Sequence, residues 1–234
     1  MNTEEHLCFP TLITQGKRNV SEKEKIDWFD SYLENSNEKG ESMDYLGFVS
    51  MHHDPRFEMV FYDIANAVKK HLESLGVDST KICVNITKSW FNVSNKEARN
   101  PIHDHAESHY SMTYYPYIGK GMEKNLTFYD KSVSKNEPYM AFLQNNVHEW
   151  KYVNSLSVEF VPQVGDIFVF PSWMEHETGN TSDDKDVSTE GQSFVSYEEL
   201  EQSRFCVGCD AILTRKNTCE YEHLLTPIAL WKRY

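Results

Sequence analysis

Gly165-Asp166-Ile167-Phe168-Val169-Phe170-Pro171-Ser172-Trp173 is the segment that most limits what this chain can fold into. Four consecutive apolar residues, alternately β-branched and aromatic, stand between a Gly-Asp turn and a Pro-Ser-Trp corner. A short apolar run bounded in this way reads as a buried strand. It needs a sheet around it. His176 follows just beyond the corner, so the strand delivers an imidazole to the end of a β-structure.

The remaining pattern divides the chain in two. Ser21-Glu22-Lys23-Glu24 fits a capping box, with Ser21 capping Glu24 and the Glu24 carboxylate returning to Ser21. Ile26, Phe29 and Leu33 then fall at helical spacing, and 35–42 reads as a polar loop. From Pro55 to Leu75 the apolar residues Phe57, Val60, Phe61, Ile64, Ala67, Val68, Leu72 and Leu75 keep the i, i+3, i+4 rhythm of a helix, which Gly76 ends. Strands are expected at 8–14, 81–93, 103–117, 125–129, 157–160, 166–170, 205–213 and 224–231. Two long excursions interrupt them, 131–153 and the acidic 177–203, the second with a short helix at 197–202 and a place beside His176 suited to a lid.

Helices first and many strands afterwards define an α+β chain, a barrel or sandwich with its helices on one side. The 234 residues suit one domain, 1–234, with a helical layer over 1–80 and a β core over 81–234 carrying the insert 177–203. The formal net charge is −13, without a clustered basic patch, which argues against direct nucleic-acid binding. No apolar run reaches membrane-span length and the first residues are polar, so a cytoplasmic protein is expected. Cys8, Cys83, Cys206, Cys209 and Cys219 form no framework and read as reduced thiols. Cys206 and Cys209 should face opposite sides of a strand rather than form a metal or redox pair.

The chemistry lies in His103-Asp104-His105-Ala106-Glu107. On a regular strand His103, His105 and Glu107 share a face while Asp104 points away. With His176 this leaves three candidate triads: His103/His105/His176, His105/Glu107/His176 and His103/Asp104/His176. The first is preferred. Each would be an open three-ligand metal site, suited to chemistry rather than structure. The ordinary alternative is a set of hydrogen-bonded strand histidines with no metal. His109 shares the parity of His105 and is a candidate outer partner for a ligand.

Trp90-Phe91-Asn92, His103-Asp104-His105, Tyr114-Tyr115-Pro116, Leu126-Thr127-Phe128, the Gly165–Trp173 string, His176 and Arg204 occur in an order that resembles the 2-oxoglutarate/Fe(II)-dependent oxygenases of the bacterial and phage type, a prolyl-hydroxylase-like group. The resemblance spans residues 81–213. It implies a double-stranded β-helix, a jelly-roll or cupin-like barrel, with the N-terminal helices packed on one side. It implies Fe(II) held by His103, His105 and His176, and 2-oxoglutarate as cosubstrate. Arg204 fits the basic residue that pairs with the distal carboxylate of 2-oxoglutarate, with Ser111, Thr113 or Tyr115 completing that pocket; Lys185 and Arg215 are alternatives to Arg204. Cys206 and Asp210 depart from the small hydroxyl and the Asn common in such proteins. Trp90, Tyr114, Tyr115 and Trp173 would wall the cavity or fill the core. The implied activity is a dioxygenase, a hydroxylase in the first instance, acting with O2 on a small molecule or a protein side chain. No catalytic residue is expected beyond the metal ligands. Two competing readings are a cupin-type metal enzyme that does not use 2-oxoglutarate and a non-catalytic β-sandwich.

Overall fold

A computed structural model describes residues 11–39, 50–95, 98–105, 107–130, 155, 157–179, 194–216, 225 and 228. Helix α1 spans Glu22–Lys39 and α2 Glu58–Ser74; the strands are β1 Thr14–Lys17, β2 Ile82–Ser94, β3 Asn100–His103, β4 Tyr110–Ile118, β5 Leu126–Tyr129, β6 Ser157–Phe160, β7 Asp166–Pro171, β8 His176–Thr178 and β9 Arg204–Arg215, with a short helix α3, Tyr197–Glu201, before β9. A five-stranded sheet runs β1-β7-β4-β9-β2 and a four-stranded sheet β3-β8-β5-β6. Among the described residues every strand-to-strand pairing is antiparallel. None of the described helices is long and apolar enough to cross a membrane.

Strand alternation sends β9 in two directions. Phe205, Val207, Cys209 and Ala211 pack with the helices in one buried cluster, while Cys206 packs between the sheets with Tyr115, Leu126, Phe128, Phe168 and Phe170. The two cysteines therefore do lie on opposite faces. The same alternation gives β7 a buried residue on both sides, Ile167 and Val169 toward the helices and Phe168 and Phe170 toward the second sheet. The five-stranded sheet is thus covered on both faces, as the apolar run of β7 requires.

Helix α1 binds the sheet through Trp28, Phe29 and Tyr32, all buried, whereas Ile26 is 40% exposed. The expected Ile26 stripe is displaced because the aromatic side chains offer more apolar area. Trp28 stacks on Phe57 with ring centroids 3.6 Å apart, and Phe29 stacks on Phe205 at 5.7 Å. Each such ring contributes about 1.5–3 kcal/mol by leaving water. Only half of the expected capping box forms. Ser21 Oγ accepts from the Glu24 N–H at 3.1 Å, but the Glu24 carboxylate turns to Arg18 Nη1 at 2.5 Å and to the Tyr114 hydroxyl at 2.5 Å. A buried phenol and a guanidinium are stronger partners than an exposed backbone N–H.

Several sequence expectations shift. The opening strand is Thr14–Lys17, and residues 8–10 lie outside the described residues. Helix α1 continues to Lys39 through most of the expected polar loop. The expected strand 103–117 is two strands with a loop between them, β3 ending at His103 and β4 starting at Tyr110. His176–Thr178 is a strand, not the start of a loop, because β3 and β5 supply its partners on both sides. The excursion 131–153, residues 180–193 of the acidic insert, and most of 224–231 lie outside the described residues.

Gly165 has φ +88 and a Cβ there would lie 2.1 Å from the Arg18 carbonyl oxygen. Its N–H donates to Tyr115 O at 2.7 Å and its carbonyl accepts from Arg18 at 3.0 Å, so the turn cannot retreat. Gly165→Ala is expected to lower stability by more than about 2 kcal/mol, from the left-handed backbone and the collision together. Urea denaturation checks this. A midpoint unchanged from wild type would mean that the turn relaxes freely.

Candidate metal centre

His103, His105 and His176 come together, and their ligand atoms all lie within 4.8 Å of one another. They are the only such cluster of three or more His, Cys, Asp or Glu among the described residues. Ring centroids stand 4.3 Å apart for His103 and His176 and 5.2 Å apart for each of the other pairs. Strand pairing brings two of them together, since His103 and His176 are register partners between β3 and β8. His105 arrives differently. It lies past the end of β3, so strand alternation does not aim it. Instead its N–H donates to the Ser172 carbonyl at 2.8 Å, tying the loop to the corner after β7.

The outer nitrogens set the chemistry of the inner ones. Nδ1 of His103 donates to Pro101 O at 2.7 Å, and Nδ1 of His176 donates to Met174 O at 3.0 Å. Nδ1 of His105 meets Asp210 Oδ1 at 2.9 Å, an acceptor that Ser111 Oγ also supplies with a proton at 2.7 Å. A proton on each Nδ1 leaves the lone pair on each Nε2. His105 Nε2 is buried without a hydrogen-bond partner. Buried polar atoms are normally satisfied, so an unpartnered acceptor beside two more imidazoles fits a divalent cation. Burial among Phe128 and Phe170, with His103 adding to it, pushes His176 down to about 3 and keeps its imidazole neutral. Burial, the largest cause, also lowers His103.

The other candidate ligands do not join. Glu107 is exposed and pairs with Lys88 at 3.1 Å, and Asp104 is exposed. The loop between β3 and β4 breaks the parity that would have turned Glu107 inward. Glu107→Gln is expected to leave metal stoichiometry unchanged; elemental analysis of the metal-loaded variant checks this, and a loss of metal would restore the His105/Glu107/His176 triad. His109 is not an outer partner of His105. Its Nδ1 accepts from the Leu213 N–H at 2.9 Å.

A second group of buried donors lies on the inner face of the same sheet. Arg204 is 1% exposed; its Nη2 donates to Tyr115 Oη at 3.1 Å, its guanidinium carbon lies 4.7 Å from the centroid of that ring, and its Nε has no partner. Thr113 Oγ1 is also buried, beside the Tyr115 hydroxyl. Burial pushes the Tyr115 phenol up, partly offset by Arg204, so it stays a neutral donor. An unsatisfied guanidinium edge beside two hydroxyls is a donor set suited to a carboxylate. Ser111 does not belong to it. Its hydroxyl donates to Asp210 and receives Ser172 Oγ at 3.0 Å, behind His105. Arg215 stands at the opposite end of β9, and Lys185 lies outside the described residues.

The expected cavity aromatics divide. Trp90 stacks on His105 at 5.3 Å and lies over Gly208, where a Cβ would sit 2.4 Å from the indole. Tyr115 holds Arg204, Tyr114 belongs to the helix-side core with Arg18 and Glu24, and Trp173 is 52% exposed. Three contributors escaped the sequence reading. In the sequence Asp210 reads only as a departure from Asn, although it shares the inward parity of Arg204. Arg99 and Tyr129 both bond the Glu177 carboxylate, which is 2% exposed on the face of β8 opposite His176. That ion pair, buried on its carboxylate side only, ties the chain just before β3 to β5 and β8, the strands that frame His176, and no local pattern announces it.

Residues 88–189 match the family described as "Putative 2OG-Fe(II) oxygenase". No curated protein matches the sequence. Among solved structures, the non-heme alpha ketoglutarate dependent carbocyclase SnoK from nogalamycin biosynthesis is similar at TM-score 0.51 and 11% identity, over 91% of this chain and 85% of that one. A prolyl-4-hydroxylase from Pseudomonas putida aligns at TM-score 0.47 and 8% identity over 86% of this chain and 92% of that one. An oxidoreductase of the 2OG-Fe(II) oxygenase family from Burkholderia pseudomallei aligns at TM-score 0.39 and 12% identity over 68% of this chain, which spans 59% of that protein's length. The likeness to SnoK shows the fold, the double-stranded β-helix of these oxygenases carrying its helices on one sheet. The stretch that matches the 2OG-Fe(II) oxygenase family, residues 88–189, is under half of the chain and contains His103, His105 and His176.

Proposed function

We propose that this chain, as one domain over 1–234, is an Fe(II)- and 2-oxoglutarate-dependent dioxygenase that hydroxylates a small molecule or a protein side chain. His103, His105 and His176 are its metal ligands, and Arg204, Tyr115 and Thr113 bind the distal carboxylate of 2-oxoglutarate. The observation that carries this reading is the unpartnered Nε2 of His105 beside two imidazoles whose Nδ1 protons are already committed. With Fe(II) and 2-oxoglutarate bound, O2 is used to oxidise a C–H bond of the substrate, with succinate and CO2 as coproducts.

The protein's own part is positional. Three Nδ1 donors fix the tautomers of the imidazoles and aim them. The ring of Trp90 covers one face of His105 and keeps water from it. Arg204 supplies a fixed positive charge at full burial, which makes a carboxylate the anion of choice. A cupin-type enzyme that does not use 2-oxoglutarate leaves this buried guanidinium without a purpose, so the oxygenase reading is favoured. The free thiols Cys83, Cys206 and Cys209 favour a reducing compartment such as the cytoplasm.

The test is anaerobic titration with Fe(II) and then 2-oxoglutarate, followed by visible absorption. A weak charge-transfer band that saturates near one equivalent is expected. Iron binding without the band would favour the cupin-type reading, and no iron binding would leave the three histidines structural.

A further inference from the structure

Three imidazoles bring no charge to a divalent cation. The carboxylate of a two-His, one-carboxylate site is not among the residues that converge here, yet a carboxylate stands one hydrogen bond away. Asp210 is 3% exposed and bonds His105 Nδ1 at 2.9 Å. Asp104 and Glu107 are exposed, and the buried Glu177 faces away toward Arg99. Asp210 is therefore the buried carboxylate, among the described residues, that touches a converging imidazole.

Its surroundings hold it there. Ser111, its register partner on β4, donates to Oδ1 at 2.7 Å. Ser172 Oγ lies 3.0 Å from Ser111 Oγ, and the Ser172 carbonyl accepts the N–H of His105 itself at 2.8 Å. His105, Asp210, Ser111 and Ser172 thus close a ring of hydrogen bonds across β4, β9 and the corner after β7. The same corner leads to His176, so the ring links both parts of the histidine cluster.

Resting on the metal-centre reading above, we propose that Asp210 is a positioning residue that aims Nε2 of His105 at the cation and supplies from outside the coordination sphere the negative charge that three imidazoles lack. A carboxylate on the far nitrogen raises the donor strength of an imidazole and fixes its tautomer. A backbone carbonyl, which serves His103 and His176, fixes the tautomer but carries no charge.

The test uses Co(II) as probe on the full chain, comparing wild type with Asp210→Asn, Asp210→Ala and Ser111→Ala. Affinity is measured by competition with a chelator, and the exchangeable, paramagnetically shifted Nδ1 protons by NMR. Asp210→Asn keeps an acceptor and the shape but loses the charge, so about tenfold weaker binding with three shifted protons retained is expected. Asp210→Ala should weaken binding toward 100-fold and lose the His105 proton to fast exchange. Ser111→Ala should fall between wild type and Asp210→Asn. A merely structural carboxylate would lower the melting temperature of the metal-free protein without moving these signals. Wild-type affinity and unchanged proton shifts in Asp210→Asn would overturn the proposal, and this isosteric variant carries the test even if Asp210→Ala does not fold. Failure of the wild type to bind Co(II) would remove the metal centre itself, a result distinct from equal binding by wild type and variants.

Discussion

His176→Ala is expected to abolish stoichiometric Fe(II) binding and, with it, 2-oxoglutarate decarboxylation. His176 is 3% exposed, is the register partner of His103, and lies between Phe128 and Phe170. Removing it takes away one of three donors and opens a hole in an apolar wall, so no nearby side chain replaces it. The loss should exceed the roughly 100-fold that removal of an outer hydrogen-bond partner causes. The Met174 carbonyl that accepts from Nδ1 belongs to a turn next to exposed Trp173, and water can satisfy it. Folding should therefore suffer less than metal binding. Metal analysis after anaerobic loading, beside circular dichroism of the same sample, separates the two. Full metal occupancy in a folded His176→Ala protein would refute the three-histidine site.

The second large effect falls on Arg204. Arg204→Met keeps most of the side-chain volume and removes the charge. Truncating one member of a buried, hydrogen-bonded charge pair costs about 2–5 kcal/mol, so 2-oxoglutarate should bind roughly 30- to 3,000-fold more weakly. Fe(II) affinity should hold. Stability of the ligand-free protein should hold or rise, because the guanidinium is buried with an unsatisfied Nε when no carboxylate is there. Opposite directions for ligand affinity and melting temperature are the signature of a charge kept for binding. Titration of 2-oxoglutarate into the Fe(II)-loaded variant measures the first and thermal unfolding the second. Unchanged affinity would move the distal carboxylate elsewhere, and a large fall in melting temperature would make Arg204 structural.

Much of this arrangement was legible along the chain. The Pro55–Leu75 rhythm predicts α2 because packing on one side needs one apolar stripe, and the helix seen is Glu58–Ser74 after a single turn at Pro55–Phe57. The apolar run in β7 is legible because a strand covered on both faces has no polar side to show. The histidine cluster was legible in membership, but for a reason that holds only in part. His103 and His176 meet through strand pairing, whereas the expected parity between His103 and His105 does not apply past the end of β3.

What depends on neighbours distant in sequence was not legible. Glu24 chooses Arg18 and Tyr114 over its own helix start because folding brings a buried phenol to it. Ser111, Thr113 and Tyr115 are equivalent by alternation, and only the opposing strand β9 divides them, placing Asp210 against Ser111 and Arg204 beside Tyr115. Glu177 reads as the start of an acidic loop until Arg99 and Tyr129 are seen around it. The sequence by itself determined the helix-then-strand order, the two-sided burial of β7 and the identity of the three histidines, because periodicity and turn chemistry are local. Tertiary structure alone decided which carboxylate serves the site and from what distance, because hydrogen-bond partners are selected by which strands become neighbours.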